Sequence, residues 1–521
     1  MSGNGRPEIP SSFPPGSRAS GVLLHVTSLP SPYGIGDLGS TALAWVDQLH
    51  DAGQTWWQSL PLGPTGYGNS PYQSLSSFAG NELLVSPDGL IEDGLLLASE
   101  CEGHSFSPAT VDYEVVIPFK CRLLETAWAR FDAGARPDLR PDFDRFCHDQ
   151  AHWLDDYALF RALKAKYGGV YYLEWPAELV RRVPAALARA RQDLASQIDR
   201  VRFAQFLLFR QAGRLQECAH AAGLRLIGDL PFFVSSDSSD VWANPELFLL
   251  DSCHRPRVVT GVPPDYFSAT GQLWGNPVYD WDVLRRTGYR WCIDRVRALL
   301  AHVDAVRLDH FRGFAAAWNV PAGASTAQSG QWVPGPGAEF FSAVQKELSG
   351  LPFIAEDLGL ITPDVSTLRD QFHLPGTRVL QFAFNGSSDD PHLPKNHTSN
   401  TLVYTGTHDN PTTRQWYEEL PDAQRQTLWR YIKRREGHGS EAAPALIELA
   451  WSSGAALAIA PLQDVLNLGA EARMNTPGRA EGNWRWRCPE DISSAPEIEW
   501  LQDLTMSSNR SGVLRCLQTA Q

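Results

Sequence analysis

Short apolar runs that end in a polar or charged residue recur along this chain, and the stretches between them carry helical spacing. Residues 22–27, 55–60 and 224–231 form the first three runs. A fourth ends at Asp309 and a fifth at Glu356; residues 377–384 are the sixth, a seventh ends at Asp409, and residues 456–460 are the eighth. Near-continuous apolar runs of this length are what strands covered on both faces look like, as in a parallel sheet wrapped by helices. Residues 289–302 and 339–348 have the pattern of such covering helices. Eight strands alternating with helical segments predict an α/β fold, a (β/α)8 TIM barrel with helical and loop insertions.

Two regions break the rhythm. From about residue 118 to 220 the period becomes helical: Trp153, Tyr157 and Phe160 fall at i, i+4, i+7, and Val201, Ala204 and Leu208 at i, i+3, i+7. Residues 61–80 are dense in Gly, Pro, Ser and Tyr, a composition that in so long a loop points to function or disorder. Together these make an insertion over about 61–220. A second, over about 232–288, contains the loop 258–281, read as a cover over the site. The expected organisation is a disordered leader over 1–20 and one barrel domain over 21–521. No separate all-β domain follows the eighth strand, only a loop and a helix near 497–504.

The stretch 304–314 concentrates the candidate chemistry. Ala305, Arg307 and Asp309 share one face of its strand, so a guanidinium and a carboxylate sit side by side near the C-terminal end. A structural ion pair would explain this; so would a reactive carboxylate kept ionised by its neighbour. Asp229, Glu356 and Asp409 also end apolar runs before a Gly or Pro, and in a parallel barrel all such ends open on one face. Residues 34–39, Gly-Ile-Gly-Asp-Leu-Gly, match the dinucleotide fingerprint G-x-G-x-x-G. That reading is rejected, because a Pro-containing loop separates the glycines from the strand and the next strand does not end in the acid a ribose requires. No cofactor and no metal are expected.

Composition narrows the partners. The 521 residues carry a formal net charge of −14, against the basic footprint of a nucleic-acid binder. Eighteen Trp and fourteen Tyr are a heavy aromatic load, and several lie in polar loops where a ring can stack on a sugar. Eight cysteines without a C-x-x-C pair, an N-terminus lacking an apolar signal core, and no membrane-length apolar stretch predict a cytoplasmic protein that does not engage a membrane.

Breaking a glycosidic bond takes a nucleophile or base, a general acid, and stabilisation of an oxocarbenium-like transition state. Asp309 beside Arg307 is suited to stay ionised; Glu356, near other carboxylates, is suited to hold a proton because like charges raise its pKa. His408 and Asp409 offer hydrogen bonds to sugar hydroxyls. With these residues in view, the chain resembles the 4-α-glucanotransferases known as amylomaltases or disproportionating enzymes, of the α-amylase clan. The resemblance runs from about Gly21 to Arg487 through Ser70-Pro71-Tyr72, Gly228-Asp229, Arg307-Leu308-Asp309-His310, Ala355-Glu356-Asp357-Leu358-Gly359, Thr407-His408-Asp409-Asn410 and Arg473-Met474-Asn475-Thr476-Pro477-Gly478.

The resemblance implies Asp309 as nucleophile, Glu356 as acid/base and Asp409 as a substrate-distorting stabiliser. It implies Tyr72, Asp229, Arg307 and His408 around the donor glucose, with Ser70 and Asn475 among the substrate-binding motifs. Asp265, Phe267, Gln272 and Trp274 would lie on a loop closing over the glucan, and Phe382 near the acceptor. The implied partners are α-1,4-glucans and maltooligosaccharides, handled by a monomer or weak oligomer. Three other readings compete with this one. A metal-dependent hydrolase would want an early His-x-His, and Val26 is flanked by His25 and Thr27 instead. An inactive glucan-binding protein could lose an acid, and all three are present. An α-1,4-glucan hydrolase of the same clan would use the same acids with water as acceptor.

Overall fold

The computed structural model describes residues 17–264, 268–489, 492 and 495–511. Its strands in chain order are β1 (Ala19–Leu23), β2 (Trp56–Gln58), β3 (Arg225–Leu230), β4 (Val258–Val262), β5 (Gln272–Pro277), β6 (Ala305–Leu308), β7 (Ala316–Pro321), β8 (Gln331–Pro334), β9 (Phe353–Ala355), β10 (Gly376–Val379), β11 (Thr401–Tyr404) and β12 (Leu457–Pro461). Eight of them close a parallel barrel in the order β1-β12-β11-β10-β9-β6-β3-β2, the (β/α)8 arrangement expected. Val306, Ile354, Val403 and Ile459 are each at most 1% exposed, as strands covered on both sides require.

The strand boundaries differ from expectation at three places. β1 begins at Ala19, inside the stretch read as leader, while residues 1–16 lie outside the described residues. The sixth barrel strand stops at Val379 rather than running to 384, because residues 380–382 wind into a 3-10 turn. The seventh stops at Tyr404, so Asp409 is carried on a loop rather than on the strand end.

The stretch 258–281 is not a loop. β4 and β5 belong to a four-stranded antiparallel sheet, ordered β5-β4-β7-β8, which the sequence reading missed. Its strands are short and interrupted by Gly261 and Gly275, and the register shifts between Val259 and Gly261, so no clean alternation marks them. The helical insertion is as the periodicity predicts: long helices Tyr113–Asp132, Ala151–Lys166 and Ala195–Ala221 pack around rings such as Phe131 and Phe203, stacked at 4.6 Å. The glycine-rich hexapeptide serves packing. A Cβ on Gly36 would come within 2.0 Å of the Val26 carbonyl oxygen, and one on Gly39 within 2.0 Å of Ser86 Oγ.

Below the barrel, the helix Pro496–Ser507 ties together residues preceding β2 and β12, its Thr505 hydroxyl accepting from Gln54 Nε2 and Trp451 Nε1, each at 2.9 Å. Arg510, fully buried, donates to the carbonyls of Ala19 (2.9 Å), Trp451 (2.6 Å) and Ser453 (2.9 Å). Arg18 donates to the carbonyl of Ser453 as well, at 2.9 Å. No helix among the described residues is long and apolar enough to cross a membrane.

Candidate active site

The upper ends of β3, β6 and β9 lie side by side, and each delivers its acid to the same opening. Asp229 and Arg307 are register partners on β3 and β6, which sets their side chains against one another. Arg307 Nη1 donates to both Asp229 oxygens, at 2.8 and 2.7 Å, and to Asp309 Oδ1 at 3.1 Å. Tyr72, from the loop after β2, donates its hydroxyl to Asp229 Oδ2 at 2.8 Å. The Arg307–Asp229 pair is buried, whereas Asp309 keeps 29% of its side chain open to the cleft. Burial works against the charge on Arg307, but Asp229 and then Asp309 outweigh it and hold the guanidinium pKa well above its ordinary value. Arg307 thus forms a buried ion pair with Asp229 as well as the one expected with Asp309, and Asp309 sits on the open flank of that pair.

Glu356 follows β9, and its Oε2 accepts the backbone N–H of His310 at 2.7 Å. Its pKa is pushed up to about 8. Burial is the larger cause; Arg307 opposes it, while Asp309 and Asp357 add to it. The like-charge argument thus named the lesser contribution. Asp357, the second acid of that run, turns away from the opening and is satisfied by Thr377 N (2.7 Å), Arg378 Nη1 (3.1 Å) and Arg369.

Asp409 is exposed and held by its loop. Asn475 Nδ2 donates to Asp409 Oδ1 at 2.6 Å, His408 Nε2 lies 3.5 Å from the same oxygen, and Arg473 Nη2 donates to the Asp409 carbonyl at 3.0 Å. The loop is braced from below by buried Asp464, which accepts from Thr405 Oγ1 (2.6 Å) and Thr413 N (2.7 Å). His408 stacks on Tyr72, with centroids 5.2 Å apart and planes 12° off parallel.

Tyr72, Asp229, Arg307, Asp309, Glu356, His408, Asp409 and Asn475 are thus brought together at the upper end of the barrel, Asp229 buried beneath and Asp309 and Asp409 on the open side. Among the described residues, no hydrogen bond joins the other expected residues directly to the acids. Ser70 accepts from Tyr72 N at 3.2 Å and shapes the loop. Gln272, on β5, accepts from Trp274 Nε1 at 3.2 Å, and Trp274 meets the His310 ring edge-on at 4.8 Å. Phe382 is 43% exposed and touches His392 at 5.5 Å. Asp265 and Phe267 lie outside the described residues. Trp484 was not foreseen: its ring is 5.9 Å from Tyr72 and 6.0 Å from His408, and only its place in the polar stretch Gly482-Asn483-Trp484 hinted at it. Among the described residues no three of His, Cys, Asp and Glu gather as a metal-binding group.

The glycoside hydrolase family 77 model, described as 4-alpha-glucanotransferase, matches residues 24–493. The chain belongs to this family. It is a 4-alpha-glucanotransferase, which sets aside the hydrolase of the same clan as its class. The 4-alpha-glucanotransferase of Synechocystis is 48% identical over 478 residues, covering 91% of this chain and 94% of that protein. That of Thermus thermophilus is also 48% identical, covering 91% and 96%. The amylomaltase of Streptococcus agalactiae, solved in complex with acarbose, superposes with a TM-score of 0.91 at 36% identity, over 95% of this chain and 99% of that one.

Proposed function

We propose that this 4-alpha-glucanotransferase moves segments of α-1,4-glucans and maltooligosaccharides to a second glucan or glucose by a retaining double displacement. Asp309 attacks the anomeric carbon while Glu356 donates its proton to the departing glycosidic oxygen, leaving a glycosyl ester on Asp309. The acceptor hydroxyl then gives its proton to Glu356 and attacks the anomeric carbon, which releases Asp309 and restores the configuration. The observation that carries this reading is the contrast between two carboxyls on neighbouring strands. Glu356 is raised to about 8 by burial and so holds a proton at neutral pH, while Asp309 faces the Arg307 guanidinium at 3.1 Å.

Asp409, fixed by Asn475 and exposed to the opening, is suited to grip hydroxyls of the distorted donor sugar. Tyr72 and His408 offer a stacked face beside it. That the Streptococcus relative was solved with acarbose supports a glucan-like ligand in this opening. Transfer prevails over attack by water when the acceptor is positioned and water is held off. Trp274, on the antiparallel sheet beside the opening, is the ring suited to that task.

Incubation with maltotriose tests the transfer reading: glucose, maltopentaose and longer chains should accumulate with little net gain in reducing ends. Reducing ends that rise in step with maltose and glucose would make water the main acceptor. Glu356→Gln tests the acid. Given α-maltosyl fluoride, which needs no acid to leave, it should accumulate an adduct on Asp309 visible by intact-protein mass spectrometry. Normal consumption of the fluoride without an adduct would assign turnover to another residue.

A further inference from the structure

His310 stands between the two acids and the covering sheet, and nothing in the proposed chemistry uses it. It follows Asp309 directly and has φ 48°, a left-handed conformation that residues other than Gly adopt rarely. That conformation turns its peptide N–H onto Glu356 Oε2 at 2.7 Å. The next residue adds a second tie, since Phe311 N donates to the Glu356 carbonyl at 3.1 Å. The ring points the other way, into aromatic company. Trp274 meets it edge-on at 4.8 Å, and Phe233 and Phe232 lie 6.2 and 6.3 Å away. Its Nε2 is buried without a hydrogen-bond partner, so the ring is seated by packing.

We propose that His310 is a positioning residue for the acid/base: its left-handed backbone fixes which oxygen of Glu356 carries the proton, and its ring seats Trp274 of the covering sheet. The inference rests on the assignment of Glu356 as acid/base. With Oε2 occupied by the His310 N–H, the transferable proton sits on Oε1, and Oε1 faces the glycosidic oxygen. One residue thereby ties acid orientation to the seating of the ring beside the acceptor.

The groups that face Glu356 are Arg307 on β6 and Asp309 just after it, Asp357 on its own segment, and Tyr404 from β11. Those that face the His310 ring are Asp309 and Arg312. Burial holds the imidazole pKa down to about 4, so the ring stays neutral and does not itself titrate between pH 6 and 9. The N–H bond favours ionised Glu356 and works against its burial, so removing that bond raises the Glu356 pKa further.

The test is the pH profile of kcat/KM for maltotriose disproportionation in His310 variants. His310→Val disfavours the left-handed backbone; its alkaline limb should move up by about half a unit or more, as loss of a hydrogen bond to the charged form requires. His310→Gly keeps the backbone and deletes the ring. Its limb should stay in place while KM for glucose as acceptor rises about fivefold or more, an effect that Trp274→Ala should reproduce without adding to it. His310→Asn, which tolerates the left-handed region, should keep the limb like Gly. His310→Ala stands in should the Val variant fail to fold. An unmoved limb in the Val variant, or in the Ala variant where Val does not fold, or a Gly variant shifted like either, overturns the inference. A Glu356→Gln enzyme still active on maltotriose, or a wild type without an alkaline limb, would instead overturn the acid/base assignment beneath it.

Discussion

Replacing Arg307 by Met removes a buried guanidinium and separates its two duties. Arg307 Nη1 makes three contacts, two to Asp229 and one to Asp309. The Asp229 side chain is wholly buried, and without Arg307 the Tyr72 hydroxyl at 2.8 Å is its remaining hydrogen-bond partner named in the site. Breaking such a pair from one side costs about 3–5 kcal/mol. The contact to Asp309, 29% exposed, adds about 1 kcal/mol at most. Asp229→Asn combined with Arg307→Met removes both charges and should recover stability to within about 1 kcal/mol of wild type.

Activity should not follow stability. Both variants lose the cation beside Asp309, and kcat/KM on maltotriose should fall by about 100-fold or more in each. The pH dependence has a definite sign. Burial already raises the Asp229 pKa, and loss of Arg307 removes the largest opposing influence. The penalty in Arg307→Met is therefore complete above the raised folded-state pKa and fades as pH falls toward the unfolded value. Urea unfolding followed by Trp fluorescence at pH 8 and pH 5 reads the stability; chromatography of maltotriose products reads the activity. A single variant as stable as wild type at pH 8, or a double variant less stable than the single one, would refute the reasoning.

Asp309→Asn should remain folded and lose transfer by several orders of magnitude; maltotriose turnover above a few per cent of wild type would remove Asp309 from the nucleophile's role. Trp274→Ala should slow transfer more than hydrolysis, measured as the ratio of longer maltooligosaccharides to new reducing ends, and an unchanged ratio would detach Trp274 from acceptor handling. Exhaustive EDTA treatment should leave the disproportionation rate unchanged, since two carboxyls and a sugar hydroxyl supply every proton and electron pair; activity restored only by a divalent ion would contradict this.

The barrel was legible in the sequence because parallel strands buried on both faces leave unbroken apolar runs, and the acids of three neighbouring strands stop those runs visibly. Asp229, Arg307 and Asp309 could be placed from the two-residue pleat and the register of strand ends. What escaped had no such signature. β4 and β5 are cut by glycines and shifted by a bulge, so their alternation is erased. Asp409 depends on a loop braced by Asp464 and Asn475, contacts that join residues distant in sequence. Trp484 reaches Tyr72 and His408 across most of the chain. The dominance of burial over like charge at Glu356 is a property of the folded environment, invisible in a list of neighbouring acids.

The seam beneath the barrel bears on the order in which the molecule can be made. Arg18 and Ser453, joined by a hydrogen bond, stand 435 positions apart, and Arg510 and Ala19 stand 491 apart. As a chain leaves the ribosome, β1 can pair with β2 early, but its other edge has no partner until β12 has emerged. An open edge of that kind invites pairing with a neighbouring nascent chain. The Arg510 clasp joins the carbonyl of Ala19 to those of Trp451 and Ser453, so it forms only once both sides of the seam are in place. Ring closure thus waits until β12 has been made, and the interval between the synthesis of β2 and that of β12 is when the open edge most needs shielding by a chaperone.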